Sequence, residues 1–312
     1  MPLPTATVAA LSPLQVRQDE PLHKKTWWRV GGKADGYLEV RDTPQLQQAV
    51  RACHETHCPI TVMGNASNCL LSDAGVRGLV LRLGGELAQV RAVYGEPRLL
   101  ELGGGVKLVG FLRKAPGKGY TGMEMLAGIP GTMGGAVKMN AGTRLGALSD
   151  VLHSVGLVRA DGSVQVLRRS ELPMAYRDGA LPDDGIVAWA RVHIGGVHPD
   201  ESQRLMEEHL AYRAETQPVD VPTCGSTFRN PPGHTAGKLI DSCGLKGHAI
   251  GGARVSPKHA NFIENTGGAT ADDIRRLIGH VQQQVWVKHK VLLEPEVQFL
   301  GDWEDWDMEE TL

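Results

Sequence analysis

Apolar positions recur along this chain with two periods. After Asp42-Thr43-Pro44, a helix-opening string, Leu46, Ala49, Val50 and Cys53 follow at i, i+3, i+4, i+7 spacing and predict a helix with one buried face. Runs at 60–63 and 79–83 read as strands separated by the turn-rich Gly64-Asn65-Ala66-Ser67-Asn68. Further strands are expected at 90–93, 99–102, 151–158, 164–167 and 186–194, with Asp161-Gly162 as a hairpin turn and a short helix near 106–114. Asp200 or Ser202 is expected to cap a helix reaching about Tyr212, before Gln217-Pro218 and Val221-Pro222 mark a boundary. The clearest helix is 271–288, opened by Thr270 with Asp273 three residues on, and carrying Ile274, Leu277, Ile278, Val281 and Val285 on one face. The last apolar run, 291–300, is expected to be a strand. The order describes a strand-rich α+β domain followed by a smaller second one.

Composition changes this picture at one place. Glycine makes up 39 of 312 residues, well above the roughly 7% of average proteins. Thirteen glycines lie within the 44 residues from Gly103 to Gly146, together with Ile129, Pro130, Met133, Val137 and Met139. A flexible linker lacks such apolar content, so the segment is expected to be a walled loop system in which bare backbone closely approaches something. Charge is nearly balanced, with 33 Lys and Arg against 35 Asp and Glu, which leaves no basic footprint for nucleic acid. No apolar stretch approaches the roughly 18 residues of a membrane span. The N-terminus lacks the layout of a secretory signal, and five scattered cysteines fit reduced thiols, so a cytoplasmic protein is expected.

Several strings carry candidate chemistry. Gly64 through Asn68 offers backbone amides, two side-chain amides and a hydroxyl in a tight turn suited to a phosphate, although a plain strand connection reads the same way. Gly128-Ile129-Pro130-Gly131-Thr132-Met133-Gly134-Gly135-Ala136, followed by Met139-Asn140-Ala141-Gly142, suits two backbone loops around a flat cofactor, or else close helix–strand packing. Neither a GxxxxGK[ST] nor a helix-opening GxGxxG occurs. Cys53-His54-Glu55-Thr56-His57-Cys58 has metal-ligand chemistry but lacks the further tethered ligands of a zinc site, and no metal is expected. Ser226 in Gly225-Ser226-Thr227-Phe228-Arg229-Asn230-Pro231 is not in a hydrolase elbow and reads as a hydrogen bonder or proton donor; Cys224 is the nearest group able to substitute for it. Glu294 and Glu296 share a face if their strand is regular, and Pro295 between them marks an edge or bulge where they diverge.

Taken in order, these strings resemble the UDP-N-acetylenolpyruvoylglucosamine reductase family over nearly the whole chain. The resemblance adds Thr26 with Arg29-Val30-Gly31-Gly32-Lys33-Ala34, Thr121-Gly122-Met123-Glu124, Tyr176-Arg177, and Arg213 with Gln217-Pro218. It continues through Ala236-Gly237-Lys238-Leu239-Ile240, Gly244-Leu245-Lys246-Gly247, Lys258-His259-Ala260-Asn261-Phe262 and Leu293-Glu294-Pro295-Glu296-Val297. It implies an α+β fold: a vanillyl-alcohol-oxidase-type (PCMH-type) FAD-binding domain over 25–196, then a smaller α+β substrate-binding domain over 205–301. Residues 1–24 would precede these, 197–204 would link them, and an acidic tail with two tryptophans would occupy 302–312. The short spacing after Arg177 matches the compact type II form.

The resemblance further implies an enzyme of peptidoglycan precursor synthesis, and so of cell wall biogenesis, that reduces UDP-N-acetylglucosamine enolpyruvate to UDP-N-acetylmuramate. NADPH would reduce a non-covalently bound FAD, which delivers hydride to C3 of the enolpyruvyl group. The pyrophosphate of FAD would lie on Gly64, Asn65, Ala66, Ser67 and Asn68 and on Gly128, Ile129, Gly131, Thr132, Gly134 and Gly135, with the flavin near Asn140, Ala141 and Gly142. Arg177 and Glu296 would hold the polarised carboxylate and Ser226 would protonate C2. Tyr176, Arg213, Asn230, Lys238 and Lys246 would contact the UDP-sugar. Three departures stand out: Gly179 replaces a usual Ser, Gln298 replaces a frequent Arg, and Thr143-Arg144-Leu145 replaces a usual Ala-Tyr-Gly. Rival readings are a flavin oxidase of a sugar or alcohol on the same scaffold and a non-catalytic paralogue. No oligomeric state follows from the sequence.

Overall fold

The computed structural model describes residues 3–303, so most of the expected acidic tail lies outside the described residues. Two compact units interleave along the chain. One takes the N-terminal stretch to Gln18, Gly36–Asn65 and Gly78–Tyr212; the other takes Asp19–Asp35, Ala66–Arg77 and the chain from Arg213 onward.

In the first unit, Asp42 caps the helix Thr43–Glu55 by accepting the Gln45 amide at 2.8 Å, with Pro44 in the first turn where a missing N–H costs nothing. Leu46, Ala49, Val50 and Cys53 are all buried, as their spacing requires. A five-stranded antiparallel sheet runs in the order Val164–Arg168, Leu152–Val158, Ile186–His193, Glu96–Gly103, Val90–Val93. Its hairpin turns at Gly162, whose φ of +79° is left-handed, beside Asp161, which accepts the Ser163 amide. This unit also holds Ile60–Val62 and most of Lys33–Val40 and of Val76–Leu83, strands of a second sheet in which Ile60–Val62 and Val76–Leu83 are parallel.

Within the glycine-rich segment the short helix expected near 106–114 is present as Leu108–Leu112, but in place of the expected loops further on there is a second helix, Met133–Lys138, capped by Thr132. Six residues with two glycines carry little helical propensity or periodicity. Burial of Met133, Ala136 and Val137 in one core with Leu100, Leu102, Val187 and Val192 of the five-stranded sheet supplies the missing stability.

In the second unit, Thr270 and Asp273 form the expected reciprocal cap of Ala271–His289, with bonds of 3.0 and 3.1 Å. The apolar face of that helix is buried with Ala236, Leu239 and Ile240 of the helix Ala236–Ser242, and with Ala253, Val255 and Ile263 of the three-stranded sheet Ala249–Ile250, Ala253–Val255, Ile263–Asn265. Trp28 belongs to the same core, donating from Nε1 to the Ile263 carbonyl at 2.7 Å while its own carbonyl accepts from Asn265 Nδ2 at 2.7 Å.

Two further expectations are corrected. The helix anticipated from Asp200 or Ser202 begins at Pro199 and runs to Thr216. Proline suits a first helical position, and Ser202 instead turns inward to hydrogen-bond Glu124. The strand anticipated over 291–300 is regular only at Gln298–Leu300, paired parallel with Cys69–Leu71. Before it, Pro295 makes a single bridge to Phe228, and the successive amides of Glu296 and Val297 both turn to the Thr227 carbonyl, at 2.7 and 3.5 Å. Two residues facing one is the pattern of a bulge.

Candidate active site

The first unit assembles the glycine-rich residues around the Met133–Lys138 helix. Thr132 bridges to Lys107, with Leu108 donating to the Gly131 carbonyl at 3.1 Å and Met133 to the Val106 carbonyl at 2.9 Å. Gly134 donates to the Gly104 carbonyl at 2.8 Å, and a Cβ on Gly134 would lie 3.1 Å from that oxygen, so bare backbone is what permits the approach. Asn65 Nδ2 donates to the Pro130 carbonyl, tying Gly64-Asn65 to the Gly128–Thr132 turn. No described residue accepts from the amides of Gly64, Asn65, Gly131 or Thr132. Such a cluster of free donors fits the pyrophosphate of FAD.

The other end of that helix carries the Arg177 turn. Ala175 and Asp178 exchange both backbone hydrogen bonds, at 2.9 and 3.1 Å, and Arg177 has a left-handed φ of +58°. Its guanidinium lies 5.0 Å from the centre of the half-exposed Tyr176 ring. Gly179 donates to the Lys138 carbonyl at 2.9 Å, and a Cβ there would fall 2.1 Å from the Val137 oxygen. The first departure thus has a packing cause: no serine fits at 179 while the turn lies this close to the helix. Gly142 pairs with Ala147 in the small hairpin whose tip holds Arg144, and the Arg144 guanidinium stacks over the Tyr212 ring at 4.5 Å.

In the second unit, three separate stretches meet. The Thr227 carbonyl accepts from Glu296 at 2.7 Å, Asn68 Nδ2 donates to the Glu296 carbonyl at 3.1 Å, and Gln298 donates to the Asn68 carbonyl at 3.0 Å. Ser226 and Glu296, expected from distant parts of the sequence, therefore lie on adjoining backbones. Both are half-buried, whereas Glu294 is exposed. The Ser226 hydroxyl makes no hydrogen bond to a described residue, so the fold leaves its proton and lone pairs available. Ala66, with φ +47°, and Ser67 present amides that no described residue accepts.

Asn261 is a supporting residue that sequence reasoning left without a role. Its Oδ1 accepts the Phe228 amide at 3.0 Å, its Nδ2 donates to the Phe228 carbonyl at 2.8 Å, and its own carbonyl accepts from Thr227 at 2.8 Å. Buried as it is, it fixes the two residues after Ser226. No periodicity announces it; only its presence in a family string could have.

Cys224 does not stand in for Ser226. Its thiol is buried and donates to the Ala66 and Cys69 carbonyls, at 3.8 and 3.6 Å. Burial, reinforced by Cys69, pushes it well above the ordinary thiol range, and burial pushes Cys69 up to about 12.

Of the expected substrate contacts, Asn230 Oδ1 accepts the Ala236 amide at 3.0 Å at the head of the Ala236–Ser242 helix, leaving its NH2 group available. Lys246 is exposed and paired with Asp241 at 3.0 Å, and Lys238 is exposed on the same helix as Asp241. Arg213 is half-buried, and desolvation draws its guanidinium down from its ordinary value, a cost that a bound anion would relieve.

Comparison with known proteins gives this geometry its context. Residues 34–168 match the family model described as FAD binding domain, and residues 217–300 match UDP-N-acetylenolpyruvoylglucosamine reductase, C-terminal domain. A UDP-N-acetylenolpyruvoylglucosamine reductase of Listeria monocytogenes is 40% identical over 290 residues, 93% of this chain and 96% of the relative. That of Latilactobacillus sakei is 42% identical over 298 residues, 95% and 97% of the two chains. The chain belongs to the UDP-N-acetylenolpyruvoylglucosamine reductase family. The crystal structure of the Thermus caldophilus reductase agrees with a TM-score of 0.79 at 36% identity, covering 92% of this chain and 98% of that one. This chain is accordingly a flavoprotein oxidoreductase with the α+β, PCMH-type FAD-binding fold. Among the described residues no helix is long and apolar enough to cross a membrane, and no three His, Cys, Asp or Glu side chains form a metal-binding group.

Proposed function

We propose that this reductase converts UDP-N-acetylglucosamine enolpyruvate to UDP-N-acetylmuramate in the cytoplasm, with NADPH as co-substrate and FAD bound non-covalently, and so serves peptidoglycan synthesis, cell shape and cell division. The observation that carries the reading is the Ser226 hydroxyl, left without a hydrogen-bond partner among the described residues, on backbone joined to that of Glu296, within the unit that holds the matched reductase C-terminal domain. Bound FAD supplies a two-electron carrier that accepts hydride from NADPH and passes it to C3 of the enolpyruvyl double bond.

The chain's own residues do the rest. Free amides of Gly64–Ser67 and of Gly131 and Thr132 hold the dinucleotide pyrophosphate, assisted by the Ser67 and Thr132 hydroxyls. Hydride arrival at C3 places negative charge on C2 and the adjoining carboxylate. Arg177, permanently charged and fork-shaped, neutralises that carboxylate, and Glu296 helps hold it in its polarised form. Ser226 Oγ gives its proton to C2, completing the saturated bond, and recovers one from water. Arg213, Asn230, Lys238 and Lys246 bind the UDP-sugar, with Tyr176 against it.

Anaerobic stopped-flow mixing tests the reading. NADPH is expected to bleach the flavin band, and UDP-N-acetylglucosamine enolpyruvate to restore it with formation of UDP-N-acetylmuramate. Rapid restoration by oxygen but not by the enolpyruvyl substrate would make the chain an oxidase. A preparation that stays colourless with added FAD would make it a non-catalytic paralogue.

A further inference from the structure

Asn140 is buried, 5% exposed, and has a left-handed φ of +39°. It closes the Met133–Lys138 helix: Ala141 donates to the Ala136 carbonyl at 2.8 Å and Asn140 to the Val137 carbonyl at 3.1 Å. That pair of bonds is a Schellman closure, whose left-handed residue is usually glycine and sometimes asparagine. Glycine would serve the backbone equally well, so the side chain has another use. Its Nδ2 donates to the Ala175 carbonyl at 2.8 Å and its Oδ1 accepts the Ser149 amide at 3.0 Å. A carbonyl on one side and an N–H on the other admit only this orientation of the amide.

Ala175 opens the turn that carries Arg177, and Gly179, just beyond it, is bound to the Lys138 carbonyl. The turn is therefore pinned to the helix end at both sides, by Asn140 before Arg177 and by Lys138 after it. The Ser149 carbonyl accepts from Arg169 Nε at 3.1 Å and Arg169 Nη1 donates to the Leu172 carbonyl at 2.7 Å, which extends the same support to the segment leading into the turn.

We infer that Asn140 is a positioning residue for Arg177: its amide holds the Ala175–Asp178 turn and thereby aims the guanidinium, and its side chain does not serve the flavin. This rests on the reductase reading above, in which Arg177 meets the substrate carboxylate.

The test uses holoenzyme carrying Asn140→Gly, which keeps the left-handed closure and deletes only the tether, alongside Asn140→Asp, which keeps the Ser149 contact and loses the donor to Ala175. Both are expected to bind FAD fully and to be reduced by NADPH at near wild-type rates. Reoxidation by the enolpyruvyl substrate should slow by ~10- to 100-fold, the scale of a misplaced catalytic group. Hydrogen exchange at the Asp178 and Gly179 amides should quicken in Asn140→Gly. In an Arg177→Lys background the same substitution should add less than ~3-fold, because both changes act through one group. Flavin loss, equal slowing of both half-reactions, or full additivity with Arg177→Lys would each overturn the inference. If wild-type enzyme never passes electrons to the substrate, the reductase reading fails instead, and the exchange rates still decide whether Asn140 holds the turn.

Discussion

At the scale of single residues, the chemistry hangs on which polar atoms the fold has already used. Cys224 lies two positions before Ser226, but its thiol is spent on the Ala66 and Cys69 carbonyls and is buried, whereas the Ser226 hydroxyl has no partner among the described residues. Ser226→Ala should leave flavin reduction by NADPH intact and slow reoxidation by the enolpyruvyl substrate by ~10²-fold or more, the range for a positioned proton donor. Cys224→Ala should slow that step far less and should lower the unfolding midpoint, since it deletes two buried contacts; equal kinetic defects would show that the serine is not special. The two glutamates separate for a similar reason. The bulge at Glu296-Val297 breaks the alternation that would have put Glu294 and Glu296 on one face, leaving Glu294 exposed and Glu296 half-buried. Glu296→Gln should depress reoxidation while the flavin stays bound and reducible, and Glu294→Gln should cost far less; the opposite ranking in stopped-flow traces would place the functional acid one bulge away.

At the scale of elements, the glycine-rich segment works through a helix too short to stand alone. Isolated helices below about 12 residues are marginal in water, so Met133–Lys138 exists because Met133, Ala136 and Val137 are buried in the core of the sheet. Its N-terminal side then presents Gly131 and Thr132 as amide donors, and its C-terminal side anchors the Arg177 turn through Asn140 and Lys138. One element thus supports both the proposed pyrophosphate donors and the turn of Arg177. Gly134→Val should separate packing from binding poorly: a Cβ 3.1 Å from the Gly104 oxygen pushes the helix start outward. The expected result is protein with native far-UV circular dichroism but a lowered flavin-to-protein absorbance ratio. Full flavin occupancy in that variant would show that the Gly131-Thr132 amides are not the pyrophosphate donors.

At the scale of the whole molecule, each compact unit is assembled from pieces distant in sequence. Ligand that binds only the folded state stabilises it by roughly 2.7 kcal/mol at a hundredfold excess over Kd. Acid-released, flavin-free protein should therefore melt at lower temperature than holoenzyme, and added FAD should restore the midpoint in a concentration-dependent way. A midpoint unmoved by FAD, measured by differential scanning fluorimetry with an extrinsic dye, would mean that the bound state gains no folding free energy from it.

Much of this was readable in one dimension. The helix Thr43–Glu55 with its Asp42 cap, the helix Ala271–His289 with its Thr270–Asp273 box, and most strands of the five-stranded sheet follow from side-chain period and from caps, because those signals are local: each depends on residues within a turn or two of one another. The ordered family strings likewise single out Arg177, Ser226 and Glu296 as candidates. The remainder was decided by contacts between residues far apart in sequence. Sheet burial makes a helix of Met133–Lys138, and the paired turn of two amides to the Thr227 carbonyl interrupts the strand before Gln298. Close approach of the Arg177 turn to the Val137 carbonyl forbids a side chain at Gly179, and the Ala175 and Ser149 partners give the buried Asn140 its use. A side chain's propensity is its own property, but whether its polar atoms are free or taken is a property of its neighbours, and those neighbours exist only in the folded chain.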